Sequence, residues 1–178
     1  MTRRLVNAAS NPITVVSDYH RDVHAGEVFN TGTVQKEIAK NETYDILFVT
    51  PVGYNVNISG FNSQFAGGDV VVSIHEGVTT SSDGTIEHPS VNRNRNSVVT
   101  AQSIFYLEPT VTDLGSTISK IWTPPTTDGV GIQTGRMMGT GEDSWLYKSN
   151  TKYLYRYENF SKNTITFSVR LSWTELPE

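Results

Sequence analysis

The sequence predicts an all-β protein built as an antiparallel β-sandwich, and two runs near its C-terminal end carry most of that expectation. In the later run Ile165, Phe167, Val169, Leu171 and Trp173 alternate with Thr166, Ser168, Arg170 and Ser172. A period of two puts every large apolar side chain of that run on one face of a strand. The earlier run, residues 151–157, places Tyr153, Tyr155 and Tyr157 on one face and Leu154 on the other. A polar stretch at residues 158–163 separates the two runs, so together they predict a hairpin. A hairpin cannot bury an apolar face by itself, and a second sheet must cover it. The third observation is punctuation: Gly, Pro and Asx residues break the rest of the chain into short segments, as expected of strands joined by turns and long loops.

In chain order, residues 1–12 read as an N-terminal arm and residues 13–178 as one sandwich domain. A chain of 178 residues buries roughly 70% of the surface its unfolded form exposes, so it needs no staple. The arm carries Arg3 and Arg4 and has no periodicity. It reads as a loose terminus or as an arm lying on a neighbouring subunit. Ile13, Val15 and Val16 predict a first strand. Asp18, His20, Asp22 and His24 follow, and they share one face if the segment is a strand; His20 and His24 alone share a face if it is a helix. A metal site needs further ligands at fixed geometry, which His75 and His88 do not supply from their different contexts. The expectation is therefore imidazoles that hydrogen-bond at a sandwich edge or subunit contact, and no metal.

Residues 32–40 fit a helical turn or a loop. Residues 43–50 are almost continuously apolar and β-branched, the pattern of an inner strand covered on both faces, and Pro51 ends it. Val52, Tyr54, Val56 and Ile58 alternate as a further strand, residues 60–68 read as a loop, and residues 70–74 as the next strand. Residues 77–97 form a long polar loop containing an Asp83-Gly84 tight turn. Within it the string Asn92-Arg93-Asn94-Arg95-Asn96-Ser97 offers two guanidinium forks, suited to partner carboxylates and carbonyls or to pinning the loop internally. Residues 98–107 predict a strand with Val99, Ala101, Ser103, Phe105 and Leu107 on one side. Residues 111–143 read as a loop excursion with one strand at 116–122. Its glycines at 129, 131, 135, 139 and 141 match no phosphate-binding spacing.

Composition narrows the function. With no cysteine there is no disulfide and no thiolate metal site. A net charge of −4 spread along the chain offers no basic field for nucleic acid. No apolar run reaches membrane-spanning length, and the first residues do not read as a secretory signal. The sequons at Asn41, Asn57 and Asn159 have meaning only in a secreted chain. No nucleophile elbow, zinc-protease motif or carboxylate pair of split acidity is present, so neither catalysis nor a cofactor is expected.

Ile74-His75-Glu76-Gly77, Asp83-Gly84-Thr85, the Asn92–Ser97 string, Asn150-Thr151-Lys152-Tyr153-Leu154-Tyr155-Arg156, and the stretch from Tyr19-His20 to His24-Ala25-Gly26 resemble small virion proteins of tailed bacteriophages. These are often encoded beside the major capsid protein. The resemblance covers most of the chain after residue 18. It implies a jelly-roll-like sandwich that decorates the capsid as a cement protein, a homotrimer on the major capsid protein, located in the virion. The long loops point to the same assembly, since a monomer has little reason to keep them. The residues expected to make subunit or capsid contacts are Arg3, Arg4, Tyr19, His20, His24, Arg93 and Arg95. The competing expectation is a tail, fibre or other carbohydrate- or receptor-binding sandwich that uses the Tyr153-Tyr155-Tyr157 face as a sugar platform. Solvent exposure of those rings separates the two.

Overall fold

A helix, α1 (Asp18–Ala25), precedes the strands β1 (Val28–Asn30), β2 (Val34–Ile38), β3 (Thr43–Val49), β4 (Tyr54–Ala66), β5 (Val70–Glu76), β6 (Thr79–Ser82), β7 (Val91–Asn92), β8 (Ile104–Leu107), β9 (Thr110–Asp113), β10 (Ser116–Thr123), β11 (Ile132–Met138), β12 (Trp145–Tyr147), β13 (Lys152–Asn159) and β14 (Ile165–Pro177). The computed structural model describes residues 18–66, 68–86, 89–124, 132–138 and 144–178. One sheet runs β11-β4-β14-β1-β7, with β12 also on β4 and β2 also on β14. The other runs β10-β5-β13-β3-β8, and β6 and β9 make a small third sheet.

The pairings nest. β2 pairs with β14, β3 with β13, β4 with β11 and β12, and β5 with β10, all antiparallel. Successive pairs fall in alternate sheets, as if one long hairpin had been rolled up, and this defines a jelly roll. β1 and β2 share β14 end to end. The break between them is closed by the Thr31 N–H donating to the Leu171 carbonyl (3.0 Å) and the Leu171 N–H donating to Thr31 Oγ1 (3.1 Å).

The expected hairpin of the two C-terminal runs does not form. β13 pairs with β3 and β5, whereas β14 pairs with β4, β1 and β2. The two strands lie in opposite sheets and their apolar faces meet across the core. Tyr157 stacks on Phe167 with ring centroids 4.6 Å apart, Phe61 on Tyr155 at 4.9 Å, and Phe48 meets Trp173 edge-on at 5.1 Å. Alternation fixes which face a strand buries but leaves open what it buries against. Here each of the two runs supplies part of the cover the other needs. Burying side chains of this size contributes about 1.5–3 kcal/mol each.

Other boundaries move for related reasons. β4 continues to Ala66 through the expected loop: a bulge at residues 59–60, opposite Ser172 and Trp173, shifts the inward set by one residue, from Val56 and Ile58 to Phe61, Ser63 and Phe65. Residues 34–38, left open by the sequence, form β2 with Val34 and Ile38 buried. The stretch 111–143 contains β9, β10 and β11 rather than loop with a single strand, and residues 77–97 contain β6 and β7. Only residues 104–107 of the expected 98–107 strand are extended in a ladder. The expected strand at residues 13–19 lies mostly outside the described residues, and its last position, Tyr19, belongs to α1.

β3 is covered on both faces as expected. Ile46 and Phe48 join the sandwich core, while Leu47 joins Leu154 and Val78 in a second cluster, with Val49, Tyr106, Val111 and Leu114 packed against it. β6 and β9 bring Val111 and its neighbours over this outer face. The Asp83-Gly84 turn that closes β6 needs its glycine: φ is +94° and a Cβ there would collide with the Leu107 carbonyl oxygen.

Candidate functional site

Five of the seven contact residues expected from the sequence, Tyr19, His20, His24, Arg93 and Arg95, lie at one corner of the molecule, where α1 meets the loop after β7. Two backbone bonds end α1. Gly26 N–H donates to the Val23 carbonyl (3.1 Å) and Glu27 N–H to the Asp22 carbonyl (3.0 Å), with Gly26 at φ +78°. This is the Schellman arrangement, which favours glycine at that position. Gly26 is needed a second time, because a Cβ would strike the Ser97 side chain.

The asparagines build the loop. Asn92 is buried; its amide donates to the Gly26 carbonyl (2.7 Å) and the Val99 carbonyl (3.0 Å), and its Oδ1 accepts from the Asn94 N–H (2.9 Å). Asn94 repeats the motif, accepting from the Asn96 N–H (3.1 Å) and donating to the His24 carbonyl at the end of α1 (3.0 Å). Ser97 Oγ then accepts from the Val99 N–H (3.1 Å). Side chains that bond a backbone amide two residues on mimic a turn, so the loop is held by its own residues and by α1. Farther along, Glu175, 5% exposed, accepts from the Gln102 N–H (2.7 Å), the Ser103 N–H (2.8 Å) and Trp173 Nε1–H (2.8 Å). The loop is thereby anchored at both ends.

The two arginines diverge. Arg93 donates to the Tyr19 hydroxyl, its guanidinium lies 5.5 Å from the centre of the Tyr19 ring, and its N–H bonds the Val28 carbonyl (2.9 Å). It ties α1 to the sheet. Arg95 is exposed, and no side-chain hydrogen bond or ion pair engages it among the described residues. Beside it Val98 is 94% exposed and Val99 about half exposed. His20 and His24 are exposed on α1, with Nε2 atoms 2.9 Å apart and rings tilted by 64°. Helical geometry thus brings the two imidazoles together, and the four-residue face a strand would have made does not form. Asp22 instead bonds Arg21 (2.9 Å), an exposed pair worth about 0–1 kcal/mol. Arg3, Arg4 and His88 lie outside the described residues.

Two expectations resolve elsewhere. Tyr153, Tyr155 and Tyr157 are at most 1% exposed, so they cannot serve as a sugar platform. Burial raises the hydroxyl pKa of all three. Their hydroxyls are used internally: Tyr147 and Tyr155 bond each other (2.9 Å), Tyr157 bonds Ser63 (3.2 Å), and Tyr153 accepts from the Lys148 N–H (2.8 Å). His75 is buried on the outer face of its sheet between Ser73 Oγ (2.9 Å) and Thr117 Oγ1 (3.2 Å), and burial lowers its pKa. Sequence reasoning missed Glu175 and Val98. Glu175 gave no signal, lying past the end of the alternating run, and Val98 was read as part of a strand.

No protein-family model matches the chain, and no curated protein matches it. Among solved structures, 99% of the chain aligns with 46% of a chain of the infectious bursal disease virus Gt strain, at 13% identity and a TM-score of 0.22. The VP2 subviral particle of the same virus gives 12% identity over 99% of this chain and 46% of that one, at a TM-score of 0.21. The unassembled Washington University Polyomavirus VP1 pentamer gives 12% identity over 83% of this chain and 76% of that one, at 0.12. The chain spans less than half the length of the first two. These likenesses are too slight to assign a role, and the jelly roll is defined by the chain's own strand pairing.

Proposed function

We propose that this chain is a non-catalytic structural protein of a tailed-phage virion, which decorates and stabilises the capsid as a trimeric cement protein on the major capsid protein. The observation that carries the reading is the asparagine-built loop at residues 92–99. Its backbone is locked by side-chain bonds, yet it holds an exposed arginine and a nearly fully exposed valine out to solvent. An ordered loop of this kind binds at a reduced ordering cost, and arginine is among the residues enriched at the energetic centres of interfaces. The resemblance to phage virion proteins agrees with it, as does the jelly roll, an architecture shared by capsid proteins. The sandwich interior is filled by stacked rings, among them Tyr147 on Tyr153 at 3.7 Å, so the chain's outer surface is the place for a partner. Arg95, Val98, His20 and His24 are assigned to the shell contact, Arg3 and Arg4 of the arm to the same surface, and Arg93 and Tyr19 to holding that surface in shape.

The test is co-sedimentation with heads assembled from the major capsid protein alone, beside light scattering of the free chain. Saturable binding that Arg95→Ala and Val98→Asp both weaken supports the reading. Unaltered binding by both variants, or none by the parent chain, overturns it. A particle map showing single copies without like neighbours would overturn the trimer.

A further inference from the structure

His20 and His24 stand one turn apart on α1 with their Nε2 atoms at 2.9 Å. At that separation two imidazole lone pairs repel unless a proton or a cation lies between them. Nitrogens 2.9 Å apart, each at the usual ~2.0–2.1 Å from a shared ion, subtend about 90°, the angle between neighbouring ligands in octahedral or square-planar coordination. Opening the pair to about 3.3–3.4 Å gives the tetrahedral angle, a change within the reach of side-chain torsion. The platform is already fixed. The Schellman bonds close the helix, Asn94 holds the His24 carbonyl, and Arg93 grips Tyr19, so little ordering remains to oppose binding. No group of three or more His, Cys, Asp or Glu side chains suited to an ion occurs among the described residues. From the described residues the pair supplies two imidazole donors to an ion.

We propose that His20 and His24 bind one borderline divalent transition-metal ion per chain, of the class of Zn2+, Ni2+ or Cu2+, with water completing the coordination in the free protein. Imidazole donors favour these ions over Mg2+ and Ca2+, which take oxygen ligands. The sequence expectation of no metal rests on the missing third and fourth ligands, although His20 and His24 already share a face there if the segment is a helix.

The test uses the full chain, stripped with a chelator and titrated calorimetrically with NiCl2 and, separately, ZnCl2. The expected result is saturable binding of one ion per chain, weakened at least tenfold by His20→Ala and by His24→Ala, and unchanged by His75→Gln, whose imidazole is buried between Ser73 and Thr117. Circular dichroism of the variants checks that they remain folded, as exposed positions should. Absence of saturable binding overturns the proposal, as does binding that survives the double variant His20→Ala/His24→Ala. A Zn2+-dependent rise in mass that the double variant abolishes supports it and identifies a neighbouring chain as a donor. The capsid reading stands or falls separately, since sedimentation with heads is measured with chelator present.

Discussion

Glu175 is the residue whose removal should reveal most about how the exposed loop is held. Its carboxylate takes three N–H donors at 2.7–2.8 Å: two backbone amides at residues 102 and 103 and the indole of the fully buried Trp173. Hydrogen bonds to a charged acceptor contribute about 1.5–3 kcal/mol each, and a buried donor left unpaired costs about 1–3 kcal/mol. These do not add fully, because water reaches Gln102 once the side chain is cut back. Glu175→Ala should therefore cost about 3–5 kcal/mol. Glu175→Gln keeps one acceptor oxygen but turns an amide N–H2 toward a backbone N–H, and should cost about 1–2 kcal/mol. In a domain of this size each kcal/mol moves Tm by about 2–4 °C. Calorimetry should then show a fall of roughly 10 °C for the alanine variant and a few degrees for glutamine. Hydrogen exchange should show residues 102 and 103 losing protection before the sandwich strands do. An alanine variant melting within about 2 °C of the parent would refute the reasoning, since the three bonds would then carry no net stability.

The two arginines should separate by assay. Arg93→Ala should lower Tm by a few degrees through loss of the Tyr19 contact, whereas Arg95→Ala should leave calorimetry unchanged and weaken head binding about thirtyfold, the equivalent of ~2 kcal/mol. Asn159 is 1% exposed and its amide donates to the carbonyls of residues 38, 39 and 163 while its Oδ1 accepts from Ser161. Asn159→Ala should destabilise by about 2–3 kcal/mol in urea titration, and the buried sequon should stay unmodified where glycosylation is available, as mass spectrometry would show. His75 has its pKa lowered by burial first and by the Arg156 charge second. As pH drops below the ordinary histidine value, the unfolded chain takes up a proton that the folded one resists. Stability present above that value should then fall until pH passes the folded pKa. Tm measured from pH 7.5 to 5 should decline more steeply in the parent than in His75→Gln, and identical slopes would contradict the assignment.

The sequence by itself determined the class of fold and the facing of its main strands. Ile165 to Trp173 and Tyr153 to Tyr157 bury the sides their alternation names, because a strand's side chains point alternately whatever it pairs with. Tyr19, His20, His24, Arg93 and Arg95, picked out from sequence alone, also fall at one corner. What the sequence did not determine is partnership. β13 and β14 look like neighbours along the chain and are partners across the core, since local alternation carries no information about which distant strand supplies the hydrogen bonds. The helix at residues 18–25 and the exposure of Val98 were likewise decided at the tertiary level. The first is fastened by Arg93, Asn94 and the close packing of Gly26 on Ser97, the second by Asn92 and Glu175 on either side of the loop. A β-branched run such as residues 98–100 extends into a sheet only where an edge is offered. The fold places that run between two anchors instead, with its valines facing water.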